Sequence, residues 1–152
     1  MTALLEPAVA QTDSLRFRMN CVPPRTNHHA KRIVRIGRFS RLADKPELVA
    51  AKEMLDGLLL PHQPSAPIAG PVRLTLEFTW PWLGSHSRKV RALGRQPHTS
   101  KPDASNVTKS IEDRLVALRF LEDDAKVVEL HVSKWWGDAP GIVVEISSWR
   151  LS

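Results

Sequence analysis

Val107, Ile111, Leu115 and Leu118 fall at i, i+4, i+8 and i+11, so the chain must form a helix there with one apolar face. Lys109, Glu112 and Asp113 lie off that stripe. Pro102 disfavours helical backbone at Lys101, which places the start after it, with Asp103 or Ser105 as the N-cap. Lys109 then projects about a turn and a half beyond Asp103. The same point is a composition boundary, because the twenty-five positions before Asp103 hold no acidic residue. Beyond the helix, Glu122-Asp123-Asp124 reads as a turn, and residues 125–136 alternate as a strand. A turn in that place can bring Asp124 back beside the helix entrance.

The rest of the chain alternates short elements. Leu15, Phe17 and Met19 make a half-buried strand ended by Pro23-Pro24, and residues 32–42 divide into two short strands about Gly37. Asp44 caps a second helix with Pro46 in its first turn and Glu47 at capping-box spacing; Leu48, Ala51, Leu55, Leu58 and Leu59 are its buried stripe, and Pro61 stops it. Its Glu53 and Asp56 read as solvated charges. Residues 62–70 connect to a strand in which Val72, Leu74, Leu76 and Phe78 alternate with polar residues, running into Trp80-Pro81-Trp82. Residues 85–100 are polar, basic and aperiodic, which predicts a mobile loop that orders on binding a ligand. Val128, Leu130 and Val132 share a strand face, and a turn over residues 137–141 predicts Ile142, Val144 and Ile146 as the partner strand of a hairpin.

These elements predict an α+β fold: one mixed sheet of about five or six strands with two main helices. Residues 1–14 read as a loose tail rather than a signal peptide, and residues 15–152 as a single domain with a core large enough to fold without staples. One cysteine, Cys21, excludes an internal disulfide and reads as a small buried hydrophobe. The six histidines show no ligand spacing for a structural zinc. No stretch has the length of a membrane span, and the cysteine usage suits a reducing cytoplasm.

The net charge is +6, and half of the 22 basic residues fall in two blocks. Arg25, Lys31, Arg32, Arg35, Arg38 and Arg41 form one, and Arg88, Lys89, Arg91, Arg95 and Lys101 the other. Such segregation suits a polyanion, since each neutralised phosphate releases counterions. The second block leads directly into the acidic cluster, which favours nucleic acid over a merely soluble basic surface. Trp135, Trp136 and Trp149 could stack on unpaired bases, although packing in a core or an interface is the preferred reading for at least two of them.

The acidic cluster has a chemistry of its own. Two unit charges 4 Å apart repel by about 4 kcal/mol at an effective dielectric near 20, so clustered carboxylates are tolerable when a cation sits among them. Hard oxygen ligands favour Mg²⁺ or Mn²⁺. Taken singly, the same residues have plain explanations: Asp103 and Ser105 as caps, Lys109 and Asp113 as an i, i+4 ion pair, Asp123-Asp124 as a turn.

The joint pattern tips the balance. Lys101-Pro102-Asp103-x-Ser105-Asn106-x-x-Lys109-x-x-x-Asp113, followed by Asp123-Asp124-x-x-Val127 and Lys134, resembles the RusA-type Holliday junction resolvases, mostly bacterial and prophage endonucleases. The resemblance implies that Asp103 and Asp124 hold a divalent metal and that Lys109 is needed for cleavage. Asp113 and Asp123 are supporting candidates, Asp123 for the metal. Ser105 stands where the family has a functional aspartate, so it can offer the metal a neutral oxygen but no charge. Expected DNA contacts are Arg25, Lys31, Arg32, Arg35, Arg38, Arg88, Lys89, Arg91, Lys101 and Lys134. The resemblance further implies a homodimer, whose twofold symmetry matches the paired cleavage points of a four-way junction. The expected function is Mg²⁺- or Mn²⁺-dependent nicking of branched DNA in recombination, repair or prophage DNA processing. The alternative is a branched-DNA-binding protein that Ser105 has left with little nuclease activity.

Overall fold

The computed structural model describes residues 13–25, 31–36 and 39–149, with only the backbone described at 31–36 and 39–44. The expected tail therefore lies almost wholly outside the described residues, and strand β1 (Ser14–Met19) opens the fold. Strands β2 (Lys31–Ile36) and β3 (Phe39–Asp44) pair antiparallel on either side of Gly37 as a separate two-stranded ribbon. Helix α1 (Pro46–Leu59) follows, then strand β4 (Val72–Pro81), a short helix α2 (Arg88–Ala92) and a two-residue strand β5 (Gln96–Pro97). Helix α3 (Ala104–Ala117) and strands β6 (Val127–Gly137) and β7 (Gly141–Ser148) complete the chain. The main sheet has five strands in the order β1-β7-β4-β6-β5, so the architecture is the expected mixed-sheet α+β domain.

Strand β4 is the axis of the sheet. Val72, Leu74, Leu76, Phe78 and Trp80 are at most 1% exposed, which satisfies the period-2 pattern of their sequence. It runs parallel to β6 on one side and antiparallel to β7 on the other. Parallel neighbours need a long crossover, and α3 lies within it.

This arrangement corrects the expected hairpin. Strands β6 and β7 do not pair, because β4 lies between them. The connection from Gly137 to Gly141 crosses the end of β4, as Pro81 faces Gly137 and Thr79 faces Gly141. Inserting β4 there gives its backbone two hydrogen-bonded neighbours, which a fully apolar strand face needs if it is to be buried. Arg18 fastens the crossing by donating through Nη2 to the carbonyls of Ala139 at 2.6 Å and Pro140 at 3.2 Å. A Cβ on Gly141 would stand 2.9 Å from the Met19 carbonyl oxygen, so the close approach of β1 requires glycine.

Helix α3 buries Val107, Thr108, Ile111 and Leu115 against the sheet, while Leu118 becomes its C-cap. Each apolar side chain so buried contributes about 1.5–3 kcal/mol. Helix α1 buries Leu48, Leu55 and Leu59. Its N-cap is Lys45, with no side-chain cap bond, because Asp44 belongs to the end of β3; the expected cap is displaced by one residue. Asp56 is not a free solvated charge either. It accepts from Arg114 Nε at 2.7 Å and Nη2 at 3.0 Å, a bidentate pair that joins α1 to α3. Cys21 is half-buried, and burial pushes its thiol pKa up.

Residues 85–100 are ordered where a mobile loop was expected. Ser87 caps α2 by accepting from the Val90 N–H, and β5 pairs with Trp135 and Trp136 of β6. His98 is buried and stacks on Trp136 at 3.8 Å between ring centroids. Polar composition concealed this segment, because its order comes from one cap, one aromatic stack and the edge of a strand far along the chain. Trp136 is likewise buried and Trp80 fully so, in line with the core reading for Trp136.

Candidate active site

Asp103 is the N-cap of α3, with φ −67° and ψ 148°, yet its side chain makes no cap hydrogen bond. An aspartate in this place ordinarily accepts from an N–H of the first turn. Asp103 instead keeps its carboxylate exposed at the positive end of the helix. The chain enters α3 through a cis Lys101–Pro102 peptide, with Pro102 buried and Lys101 exposed. Lys134 on β6 reaches across to this entrance and donates to the Ser100 carbonyl at 2.7 Å. Burial lowers the pKa of Lys134, and the nearby charge of Asp103 opposes that shift.

Lys109 is the centre of the ionic cluster. Its ammonium lies 2.9 Å from Asp124 Oδ2 and 3.0 Å from Asp113 Oδ1. Asp113 is one turn along the same helix, whereas Asp124 arrives from the 3-10 turn (Asp124–Lys126) that leads into β6. That turn is capped by Asp123, whose carboxylate accepts from the Ala125 N–H at 3.2 Å. Asp124 thus meets Lys109 of α3. Hydrogen bonds to Asp124 and then Asp113 hold the Lys109 pKa well above its ordinary value, and the Lys109 hydrogen bond in turn holds Asp124 below the usual carboxylate range.

Beside this cluster is an open pocket of about 380 Å³. Helix α3 gives it Ser105, Lys109 and Glu112, and β6 gives it Leu130 and Val132. The spacing i, i+4, i+7 puts the three polar residues on one helix face, a signal present in the sequence but unused while Glu112 was merely placed off the apolar stripe. Thr108 also lines the pocket, but its hydroxyl donates to the Ala104 carbonyl at 2.7 Å. Burial raises the Glu112 pKa despite the nearby Lys109 ammonium, and the charges of Asp124 and Asp113 add to the rise. Among the described residues, no three His, Cys, Asp or Glu side chains gather where they could hold a metal ion.

The expected DNA contacts are distributed unevenly. Arg88 and Lys89 are exposed on α2, and Arg25 lies 5.9 Å above the Trp136 ring. Arg91 is partly spent on structure, donating to the carbonyls of His86 and Leu83. Arg95 lies 4.0 Å over the Trp135 ring. The side chains of Lys31, Arg32, Arg35, Arg38 and Arg41 lie outside the described residues. Trp149 is partly exposed and donates to Glu129 at 2.7 Å.

Residues 21–147 match the family model described as Endodeoxyribonuclease RusA, a span that includes α3, the ionic cluster and the main sheet apart from β1. The chain belongs to the RusA endodeoxyribonuclease family. It is also 34% identical over 90 residues to the protein of Bacillus subtilis (strain 168) named "Uncharacterized protein YqaN". That match covers 56% of this chain and 63% of the relative, so less than two thirds of the relative's length is spanned. The motif residues Asp103, Ser105, Lys109 and Asp124 all lie inside the matched region. None of the described helices is long and apolar enough to cross a membrane.

Proposed function

We propose that this RusA-family chain is a divalent-metal-dependent endonuclease that nicks Holliday junctions and related branched DNA, acting as a homodimer with one site at each of the paired cleavage points. The observation that carries this reading is the convergence of Lys109 and Asp124 from separate elements beside an open pocket at the motif helix. The unused carboxylate of Asp103 supports it, since an N-cap aspartate that does not cap is free for another partner.

The donors present fit Mg²⁺ or Mn²⁺ rather than a softer ion. Mg²⁺ is commonly held by one or two carboxylates and completes its shell with waters and substrate phosphate, so a three-carboxylate cage is not required. Asp103 and Asp124 are the side chains proposed to hold it, with Ser105 and Asp123 adjacent. When bound, such an ion polarises a phosphoryl oxygen and lowers the pKa of a water.

Lys109 does the charge stabilisation that the protein itself supplies. An ammonium has three N–H donors, and Asp113 and Asp124 occupy two of them. The third is available to an oxygen of the phosphorus centre, whose negative charge grows as the nucleophile adds. Asp113 and Asp124 hold Nζ in place and keep it protonated. Lys134 holds the segment that enters α3 through the Ser100 carbonyl, and exposed Lys101, Arg88 and Lys89 are suited to neighbouring phosphates.

A synthetic four-way junction, offered beside flap and linear duplex substrates with Mg²⁺, Mn²⁺ or EDTA, tests the proposal. Metal-dependent nicking with preference for the junction is expected. Tight junction binding without nicking under any metal would instead support the branched-DNA-binding alternative, with Ser105 as its cause.

A further inference from the structure

One buried ring holds the segment that delivers Asp103 to the start of α3. His98 is 4% exposed, stacked on Trp136 at 3.8 Å between ring centroids and tilted against Trp80 at 4.7 Å. Its backbone N–H donates to the Lys134 carbonyl at 3.0 Å, and its Nδ1 accepts from the Ser100 N–H at 3.3 Å. Lys134 Nζ takes the Ser100 carbonyl at 2.7 Å. Ser100 is thus held at both of its backbone groups, and buried Pro102 anchors the chain between it and Asp103. Since no cap bond fixes the Asp103 side chain, the path of this backbone decides where the carboxylate stands.

A ring nitrogen that accepts a hydrogen bond carries no proton, so the proton of the neutral His98 ring is on Nε2. Nε2 is buried, and among the described residues no acceptor reaches it. An orphaned donor costs stability that a phenyl ring filling the same space would not. Packing alone therefore does not account for a histidine here, whereas the acceptor at Nδ1 does.

We infer that His98 is a positioning residue for nicking: through Ser100 it sets the place of the Asp103 carboxylate, and it does so only as the neutral imidazole. The assignment rests on the proposed role of Asp103 in phosphodiester hydrolysis. Protonation would turn Nδ1 from an acceptor into a donor facing the Ser100 N–H. Burial holds the His98 pKa below its ordinary 6.5, and the charges of Lys134 and Arg25 act in the same direction. His86, whose ring lies 5.4 Å from that of Trp136, is the other titratable ring against this stack.

Two variants of the full chain separate the ring from its acceptor. His98→Phe keeps a stacking ring and loses Nδ1, whereas His98→Asn loses the ring but can accept from the N–H two residues on. Both are compared with the parent at a temperature where circular dichroism shows all three folded. In His98→Phe, hydrogen exchange at the Ser100 amide, without metal or DNA, is expected to quicken about tenfold. Single-turnover nicking of a four-way junction by His98→Phe should fall by about 10²-fold, the scale of a small misplacement, with junction affinity close to that of the parent. His98→Asn should nick at nearly the parent rate at pH 8. The parent rate is expected to fall as pH drops through the His98 value, below 6.5, and the acid limb of His98→Asn to lie at lower pH. Coincident acid limbs in the parent and His98→Asn, an unchanged Ser100 amide in His98→Phe, or parent-like nicking by His98→Phe would overturn the inference and leave metal-dependent nicking standing. A parent chain that does not nick with any metal removes both.

Discussion

Lys109 Nζ lies 2.9 Å from Asp124 Oδ2 across a separation of 15 residues, joining the middle of a helix to the turn that starts the edge-side strand of the sheet. The pair is partly open to solvent, with side chains 40% and 42% exposed, so its contribution to stability is small beside its effect on where the ammonium points. Lys109→Ala should therefore lower single-turnover nicking of a four-way junction by about 10²–10³-fold, the scale of losing one preorganised donor to developing charge. Junction affinity, measured by gel shift in EDTA, should change far less. Parent-like nicking by this variant would remove Lys109 from the chemistry.

Asp103 allows function and stability to be separated. Because its side chain makes no cap bond, Asp103→Ala should cost less than the roughly 1 kcal/mol typical of losing an N-cap. Metal-supported nicking should nevertheless be lost. Urea denaturation and the junction assay on one preparation give both values, and a destabilisation above about 1 kcal/mol would mark Asp103 as a structural cap.

The pH dependence of stability follows from the same ion pairs. The Lys109 pKa is raised above 10.5, first by Asp124 and then by Asp113, so its contribution is full below 10.5 and is lost as pH rises through the folded-state value. The Asp124 pKa is lowered below 3.8, mainly by Lys109, so its contribution is present above 3.8 and is lost as pH falls through the folded-state value. The difference in urea midpoint between the parent and Lys109→Met should be level from about pH 5 to pH 9 and shrink outside that window. By the same signs, a basic limb in the nicking profile near neutrality cannot come from Lys109.

The contact of Asp56 with Arg114 ties the two long helices together with both side chains less than a third exposed, at 29% and 20%. Hydrogen bonds to charged groups in such positions are worth about 1.5–3 kcal/mol. Asp56→Ala should destabilise by that order, and Asp56→Ala with Arg114→Ala should cost less than the two single losses added. An additive double-mutant cycle would show that the pair contributes nothing beyond its separate residues.

Salt dependence reports on the basic blocks. Junction affinity should fall by about 0.9 log units per log unit of salt for each duplex phosphate contacted, and Lys101→Ala or Lys89→Ala should each flatten that slope by about one contact. Arg91 serves as the contrast. Its guanidinium holds the carbonyls of His86 and Leu83, so Arg91→Ala should lower the melting temperature as well as the affinity.

Most of the elements were legible because apolar periodicity is local. Val72 to Trp80 at period two, and Val107, Ile111 and Leu115 at helical spacing, specify their own burial, and both patterns are met. The RusA motif was legible for the same reason, since Lys101 to Asp113 is one short stretch. Connectivity was not. Whether β7 pairs with β6 or with β4 depends on which strand is fully apolar and in need of two neighbours, and β4 decides that from sixty residues earlier in the chain. Order in residues 85–100 was hidden likewise, since it depends on His98 meeting Trp136.

The chain's sequence alone determined the strands, the helices, the segregation of positive charge and the identity of the motif residues, because each is set by neighbours within a few positions. Only the tertiary structure decided that Asp124 meets Lys109, that the Asp103 side chain makes no cap bond, and that Glu112 faces the pocket. Those placements depend on how α3 lies over β6, and packing between segments distant along the chain sets that angle and register.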